Sequence, residues 1–180
     1  MERKNFDGED LLQPQQASFD PAEGYLILEL NMQSFYLHPE GVRYEGRLFE
    51  AKDEVHITIL SRDAAEAVRQ HLERYPQDED QVRRLVDETN WDYRKLDSFY
   101  HIQEEPEVET IVQMVEVPGM DTFFKQVGQL VGQELELPPT HVTLYMRGTE
   151  KGIGIPTQTE FERLAQKQIG LEELKPERGN

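Results

Sequence analysis

Cysteine is absent from the 180 residues of the chain. Its absence excludes disulfide-stapled scaffolds, thiolate zinc sites and cysteine nucleophiles. Long apolar runs are absent as well, since no stretch reaches the roughly 18 consecutive apolar residues that a membrane-spanning helix needs. The N-terminal segment also lacks the apolar run of a secretory signal. We therefore expect a cytoplasmic protein.

Basic residues are scarce, because 19 Lys and Arg stand against 36 Asp and Glu, giving a formal net charge of −17. Proteins that coat long nucleic acid neutralise its phosphates with clustered Lys and Arg, and anionic membranes also attract basic surfaces. The charge balance therefore argues against both as partners. Hydrophobic residues form 37% of the chain, which is enough for a folded core.

Most of the chain forms one continuous globular region. Residues 1–21 are polar and without apolar period, so we expect a loose leader, and residues 172–180 are typical of a flexible tail. Between them, residues 22–171 alternate strand-like and helix-like stretches, which indicates a mixed α/β or α+β domain. The patterns predict strands at 25–30, 55–60, 99–102, 110–117 and 141–146, helices from Asp63, at 78–89, at 121–135 and at 161–168, and a hairpin around residues 38–41. The acidic stretch 103–109 is predicted to be a solvated connection.

Two of the predicted strands carry the same motif. One contains His56-Ile57-Thr58 and the other His141-Val142-Thr143, each embedded in apolar, β-forming sequence. Residues two apart in a strand point to the same face, so each histidine shares a face with its threonine while the apolar residues enter a core. A lone buried histidine is more often structural, but two matched copies on rigid strands favour a functional site.

Paired imidazoles and hydroxyls suit chemistry at a phosphodiester. A neutral imidazole can take a proton from water or a hydroxyl, and an imidazolium can give one to the leaving oxygen. The Thr58 and Thr143 hydroxyls can bind the phosphate as charge develops on its oxygens. The sequence leaves open which of His56 and His141 is the base and which the acid. Neither motif has the third ligand or the spacing typical of a metal site, so we expect no metal and no other cofactor.

Four more residues are candidates for substrate binding. If each strand stays extended, every second residue after its threonine lies on the same face as the histidine. These residues include Arg62 after the first motif, and Tyr145 and Arg147 after the second. Tyr145 could stack on a base, or it could be a half-buried aromatic residue that closes the sheet edge, and both interpretations stay open. Arg62, Arg147 and Lys151 could hold a phosphate, although isolated surface cations are common.

At these residues the sequence resembles the two-histidine phosphoesterase superfamily, whose best-known bacterial members are RNA 2′,3′-cyclic phosphodiesterases, also called 2′-5′ RNA ligase-like proteins. The hallmark is a pair of His-x-Thr/Ser motifs, each followed by an apolar residue, here Ile59 and Leu144. The Pro138-Pro139-Thr140 lead-in is also similar. The resemblance implies a bilobal, pseudo-symmetric α+β fold, with two antiparallel sheets forming a central cleft and helices outside. It also implies metal-independent chemistry at a phosphodiester.

Together these observations predict a monomeric, metal-independent phosphodiesterase. Its substrate would be a small nucleotide or RNA end with a cyclic or 2′-linked phosphodiester. Two alternatives stay open. One is a hydrolase of cyclic oligonucleotide signals or of a non-nucleotide phosphodiester. The other is a module that binds a phosphorylated ligand without catalysis.

Overall fold

A computed structural model describes residues 11–35 and 38–177. Within these ranges the chain forms four α-helices and ten strands. In chain order they are β1 (Gln16–Asp20), β2 (Tyr25–Glu29), β3 (Val42–Tyr44), β4 (Arg47–Ala51), β5 (His56–Leu60), α1 (Arg62–Arg74), α2 (Glu79–Glu88), β6 (Arg94–Glu105), β7 (Val108–Glu116), α3 (Met120–Val131), β8 (His141–Arg147), α4 (Gln158–Leu164), β9 (Ala165–Ile169) and β10 (Lys175–Pro176).

The strands form one large antiparallel sheet that does not close on itself. Its main path runs β1-β2-β5-β8-β4-β3-β10, and β7, β6 and β9 continue from β8 as a branch. Every recorded strand pair is antiparallel, which is typical of α+β rather than α/β architecture. The predicted α+β class is therefore confirmed at this level.

Apolar side chains alternate along the strands and bury one broad core under the helices. Ile57 and Val142, at the centres of the two motif strands, are fully buried in this core. Helix α3 contributes an apolar stripe that includes Phe123, Phe124 and Val127, as its helical spacing predicts. In the described part of the chain, no helix is long and apolar enough to cross a membrane.

Helix ends were predicted with mixed success. Thr157 caps α4, because its hydroxyl accepts a hydrogen bond from the Glu160 amide at 3.1 Å. The helix predicted from Asp63 begins one residue earlier, at Arg62, after Ser61. The helix predicted at 161–168 is also too long. It ends at Leu164, and the following residues form β9 because β6 offers them a strand edge.

Three further predictions need correction. The hairpin joins β3 to β4 through Glu45 and Gly46, which both have positive φ, as a tight two-residue hairpin turn requires. Residues 38–41 do form a turn, in which the Gly41 amide donates to the His38 carbonyl at 3.1 Å, but residues 32–34 before it form a short 3₁₀ helix and not the strand of a hairpin. The leader is not loose throughout, because β1 pairs with β2 along five residues. The tail is not wholly flexible either, because Lys175 and Pro176 pair with β3. Residues 1–10 and 178–180 lie outside the described ranges.

Candidate active site

The two His-x-Thr strands are neighbours in the sheet. Strands β5 and β8 run antiparallel and pair at Ile57 and Val142, the central residues of the two motifs. Extending this register places His56 opposite Thr143, and Thr58 opposite His141. Since Ile57 and Val142 enter the core, all four polar side chains lie on the other face of the sheet.

These four side chains line one cavity of about 480 Å³, which we call the histidine cavity. Three cationic residues, Lys52, Arg62 and Lys151, and two carboxylates, Glu54 and Glu150, also line it. The rest of its wall comes from Tyr25, Ile27, Ser61, Pro138, Pro139 and residues 152–155. The motifs therefore meet in a pocket of a size suited to a small ligand.

Each motif strand is interrupted immediately after its threonine. Ile59 is skipped where β5 pairs with β2, and Leu144 is skipped where β8 pairs with β7. An extra residue of this kind is a β-bulge, which re-aims the side chains that follow it. The two motifs thus share a structural irregularity as well as a sequence, at the same position.

The bulge explains why Tyr145 and Arg147 do not reach the cavity. On β7, Val112 pairs with Thr143, and its neighbour Ile111 pairs with Tyr145. Adjacent residues of a strand point to opposite faces, and paired residues point to the same face. Thr143 and Tyr145 therefore face opposite sides of the sheet. Tyr145 is fully buried, and its hydroxyl contacts the backbone of His38. The prediction that Tyr145 and Arg147 share a face with His141 is therefore wrong.

Arg147 lies on the side of the sheet opposite to His56 and His141. Its guanidinium donates to the Glu109 carboxylate at 2.7 Å. Glu109 is completely buried and also contacts Arg47 and His101. Arg147 is thus part of a buried ion cluster and does not line the histidine cavity.

Arg62 and Lys151 do line the cavity, as predicted, although by a different route for Arg62. The bulge breaks the period of two, and Leu60 is buried in the core. Arg62 reaches the cavity from the first position of α1, where its φ of 49° is unusual for a residue other than glycine. Such conformations persist only where the surrounding structure holds them, often at functional sites.

The loop of residues 150–155, between β8 and α4, forms one wall of the cavity. A Cβ atom on Gly152 would lie only 3.3 Å from the Thr143 hydroxyl, so a glycine there lets the loop approach that threonine closely. Ile153 and Ile155 are buried and anchor the same loop in a small apolar cluster with Val112. This loop therefore holds Lys151 beside the cavity.

The two imidazoles differ in how their Nδ1 atoms are bonded. His141 Nδ1 lies 2.9 Å from the carbonyl oxygen of Pro139. A carbonyl can only accept, so Nδ1 carries the proton, and Nε2 is the free acceptor of the neutral ring. Burial lowers the pKa of His141, against an opposing effect of the Pro139 carbonyl, and Lys52 lowers it further.

His56 has no such backbone partner. Its Nδ1 is buried and has no hydrogen-bond partner among the described residues. Burial, reinforced by the nearby positive charge of Lys52, lowers the pKa of His56 to about 4. The positive charge of a protonated His141 would lower it too. At neutral pH His56 is therefore neutral, and its buried Nδ1 makes no hydrogen bond that would stabilise a charged ring.

Lys52 was missed by sequence reasoning. It stands between β4 and β5, is half-buried, lines the histidine cavity, and its charge acts on both imidazoles. Burial also lowers the pKa of its own ammonium group. A single lysine in a connecting segment carries no sequence signal, so only the fold reveals that it lies beside the two motifs.

The lowered pKa of His56 predicts a pH-dependent stability. The unfolded chain binds a proton on this histidine below pH 6.5, whereas the folded chain binds it only near pH 4. Stability rises with pH wherever the unfolded state binds more protons, so the free energy of unfolding should fall from pH 6.5 towards pH 4. Chemical denaturation should show that His56→Gln removes part of this fall, on the order of 1 kcal/mol per pH unit. Equal slopes for the two proteins would contradict the buried, neutral state of His56.

Among the described residues, no group of three or more His, Asp or Glu side chains is arranged to hold a metal ion. The cavity lining offers imidazoles, hydroxyls, cationic side chains and two carboxylates. Comparisons with protein-family models, with curated proteins and with solved structures found no match for this chain.

Proposed function

We propose that the protein is a metal-independent phosphodiesterase that hydrolyses a cyclic or 2′-linked phosphodiester of a small nucleotide. The observation that carries this proposal is the convergence of His56, Thr58, His141 and Thr143 on one cavity. Two imidazoles supply an acid and a base, and two hydroxyls can donate to non-bridging oxygens of the same phosphate. A purely structural role would not require both pairs in one solvent-accessible pocket.

The bonding of the two rings supports a division of roles. A proton on His141 leaves both ring N–H groups usable, since Nδ1–H donates to the Pro139 carbonyl and Nε2–H remains for the substrate. The buried Nδ1 of His56 has no such carbonyl partner, and burial and the charge of Lys52 lower the pKa of this ring to about 4, which disfavours its charged form. A bound phosphate anion favours protonation of one imidazole, and we assign that proton to His141. His141 then acts as the acid, and neutral His56 as the base that takes a proton from water.

The cationic side chains fit the same reaction. Lys52, Arg62 and Lys151 surround the pocket in a protein whose net charge is −17. Their charges offset the phosphate anion and the negative charge that builds on its oxygens during attack. Water then adds to phosphorus as the ester oxygen leaves, His56 receiving a proton from the water and His141 giving one to the leaving oxygen.

We also propose that the fold consists of two similar halves. A bilobal, pseudo-symmetric arrangement would supply one His-x-Thr motif from each half, with the cavity between the halves. Two observations support it. The motif strands pair at their central residues, and each carries a bulge directly after its threonine.

A substrate panel assayed with excess EDTA tests the proposed activity. We expect hydrolysis of at least one member among 2′,3′-cyclic nucleotides, 2′-5′ dinucleotides, cyclic dinucleotides and ADP-ribose cyclic phosphate, unchanged by the chelator. Activity on the cyclic dinucleotides alone would favour a signalling substrate. Tight binding of these compounds without turnover of any would overturn the enzyme in favour of a binding module, and activity abolished by EDTA would overturn metal independence.

A further inference from the structure

The histidine cavity adjoins a second cavity, and the two share part of their lining. This neighbouring space, which we call the outer cavity, measures about 670 Å³. Ile27, Lys52, Glu54 and His56 line both spaces. A phosphodiester held between His56 and His141 would therefore lie next to the outer cavity, which offers space for one of its esterified groups.

The outer cavity is acidic. Glu29, Asp53 and Glu54 line it, and Lys52, at the boundary with the histidine cavity, is the cationic residue among its described lining. The Ser18 hydroxyl donates to the Glu29 carboxylate at 2.7 Å, which fixes that group in the wall. The remaining polar residues are uncharged amides, Gln15, Asn31 and Gln33. Such a lining suits hydroxyl and amide groups but not a second anion.

A third cavity, which adjoins the histidine cavity at other residues, is also acidic. This smaller cavity, of about 230 Å³, shares Ser61 and Pro138 with the histidine cavity. Asp63, Glu134 and Glu136 line this space, whose described lining has no Lys or Arg. In the histidine cavity three cationic residues thus outnumber two carboxylates, whereas carboxylates outnumber cationic residues in both neighbouring cavities.

We infer that the site selects phosphodiesters that carry a single phosphate and whose esterified group is uncharged and hydroxylated, such as a nucleoside. This inference rests on the proposed function and narrows its substrate class. A second phosphate on the same molecule would enter one of the acidic spaces and be repelled by the carboxylates there. Oligonucleotides, with a phosphate at each step, would be excluded for the same reason.

A matched pair of substrates tests this selectivity. One is a nucleoside 2′,3′-cyclic phosphate, and the other is the same compound with an added 5′-phosphate. At low ionic strength we expect kcat/KM to be about tenfold lower for the second compound, and the ratio to approach one as salt screens the carboxylates. Equal kcat/KM for the two compounds at low salt would overturn the inference while leaving the hydrolase intact, whereas hydrolysis of neither would instead count against the proposed function.

Variants of the outer cavity test whether its carboxylates cause the discrimination between the two substrates. Glu29→Gln combined with Asp53→Asn should reduce the discrimination between the two substrates several-fold. Asp87→Asn combined with Glu88→Gln changes net charge equally on exposed positions of α2 and should leave the ratio as in wild type. Calorimetry with a nucleoside 2′-phosphate and the corresponding 2′,5′-bisphosphate gives the same comparison without turnover. Equal or tighter binding of the bisphosphate at low salt would contradict the inference.

Discussion

Replacing His56 or His141 with alanine is expected to lower the rate of phosphodiester hydrolysis by about 10²- to 10⁴-fold. In the proposed reaction each imidazole moves one of the two protons, and the described cavity lining contains no other histidine. The double variant should be little worse than either single variant, because groups that act as a unit lose their effect together. Steady-state kinetics on the best substrate of the panel measures these rates.

The leaving group separates the two roles. An aryl phosphodiester that releases p-nitrophenolate needs no proton on its departing oxygen, so an enzyme without its acid still has a route to product. We expect His141→Ala to lose far less activity on this substrate than on a nucleotide, whereas His56→Ala should lose activity on both. The reverse pattern would exchange the assigned roles of the two histidines.

A control is needed to show that loss of activity is not loss of fold. His38→Ala removes a histidine whose described hydrogen bonds to Tyr145 are made by its backbone, so the variant should keep both the wild-type rate and the wild-type stability. Both catalytic variants should unfold cooperatively, with the spectrum of the native protein. Unchanged turnover in both His56→Ala and His141→Ala would remove the basis for the assignment.

The central motifs could be predicted because they depend on local geometry. Alternation within each apolar run puts His56 with Thr58 and His141 with Thr143, whatever the rest of the sheet does. That the two strands are neighbours is a matter of topology, and the repeated motif was the signal for it. The structure brings all four side chains to one cavity.

The errors lie where a residue's direction depends on a distant partner. Strand alternation wrongly placed Tyr145 and Arg147 on the face of His141, because a bulge after Thr143 turns the residues that follow it to the other face. The bulge arises from the pairing with β7, which the β8 sequence does not reveal. Lys52 could not be found for the same reason, since it reaches the histidines only when β4 and β5 are both placed beside β8.

The acidic stretch 103–109 is predicted to be a solvated connection, and residues 104–107 are exposed as expected. The prediction is wrong for Glu109, which pairs within the β6–β7 hairpin and is fully buried. Composition alone suggests solvent for a run of glutamates. The exception arises because Arg47, His101 and Arg147, from three other strands, converge on this one carboxylate.

Glu109→Gln is expected to lower the free energy of unfolding by about 3–5 kcal/mol, because it leaves the guanidiniums of two arginines without their shared counter-charge. His101 contacts the same carboxylate at 2.9 Å, and Arg147 does so at 2.7 Å. Burial alone would raise the pKa of Glu109, but hydrogen bonds from Arg147 and His101 and the charge of Arg47 hold it below its ordinary value. The carboxylate is therefore ionised at neutral pH. Urea denaturation with a check of the m-value measures the loss.

Glu116 on the same strand provides the matched control. It also pairs with an arginine, Arg94, but its side chain is 46% exposed, so Glu116→Gln should change the free energy of unfolding by less than about 1 kcal/mol. Similar losses at the two positions would show that burial does not strengthen the Glu109 cluster. Replacing the carboxylate together with both arginines, by Glu109→Leu with Arg47→Met and Arg147→Met, should recover much of the loss, because neither arginine is then left without its counter-charge. Recovery would locate the cost of Glu109→Gln in the stranded arginines and not in the missing side-chain packing of the glutamate.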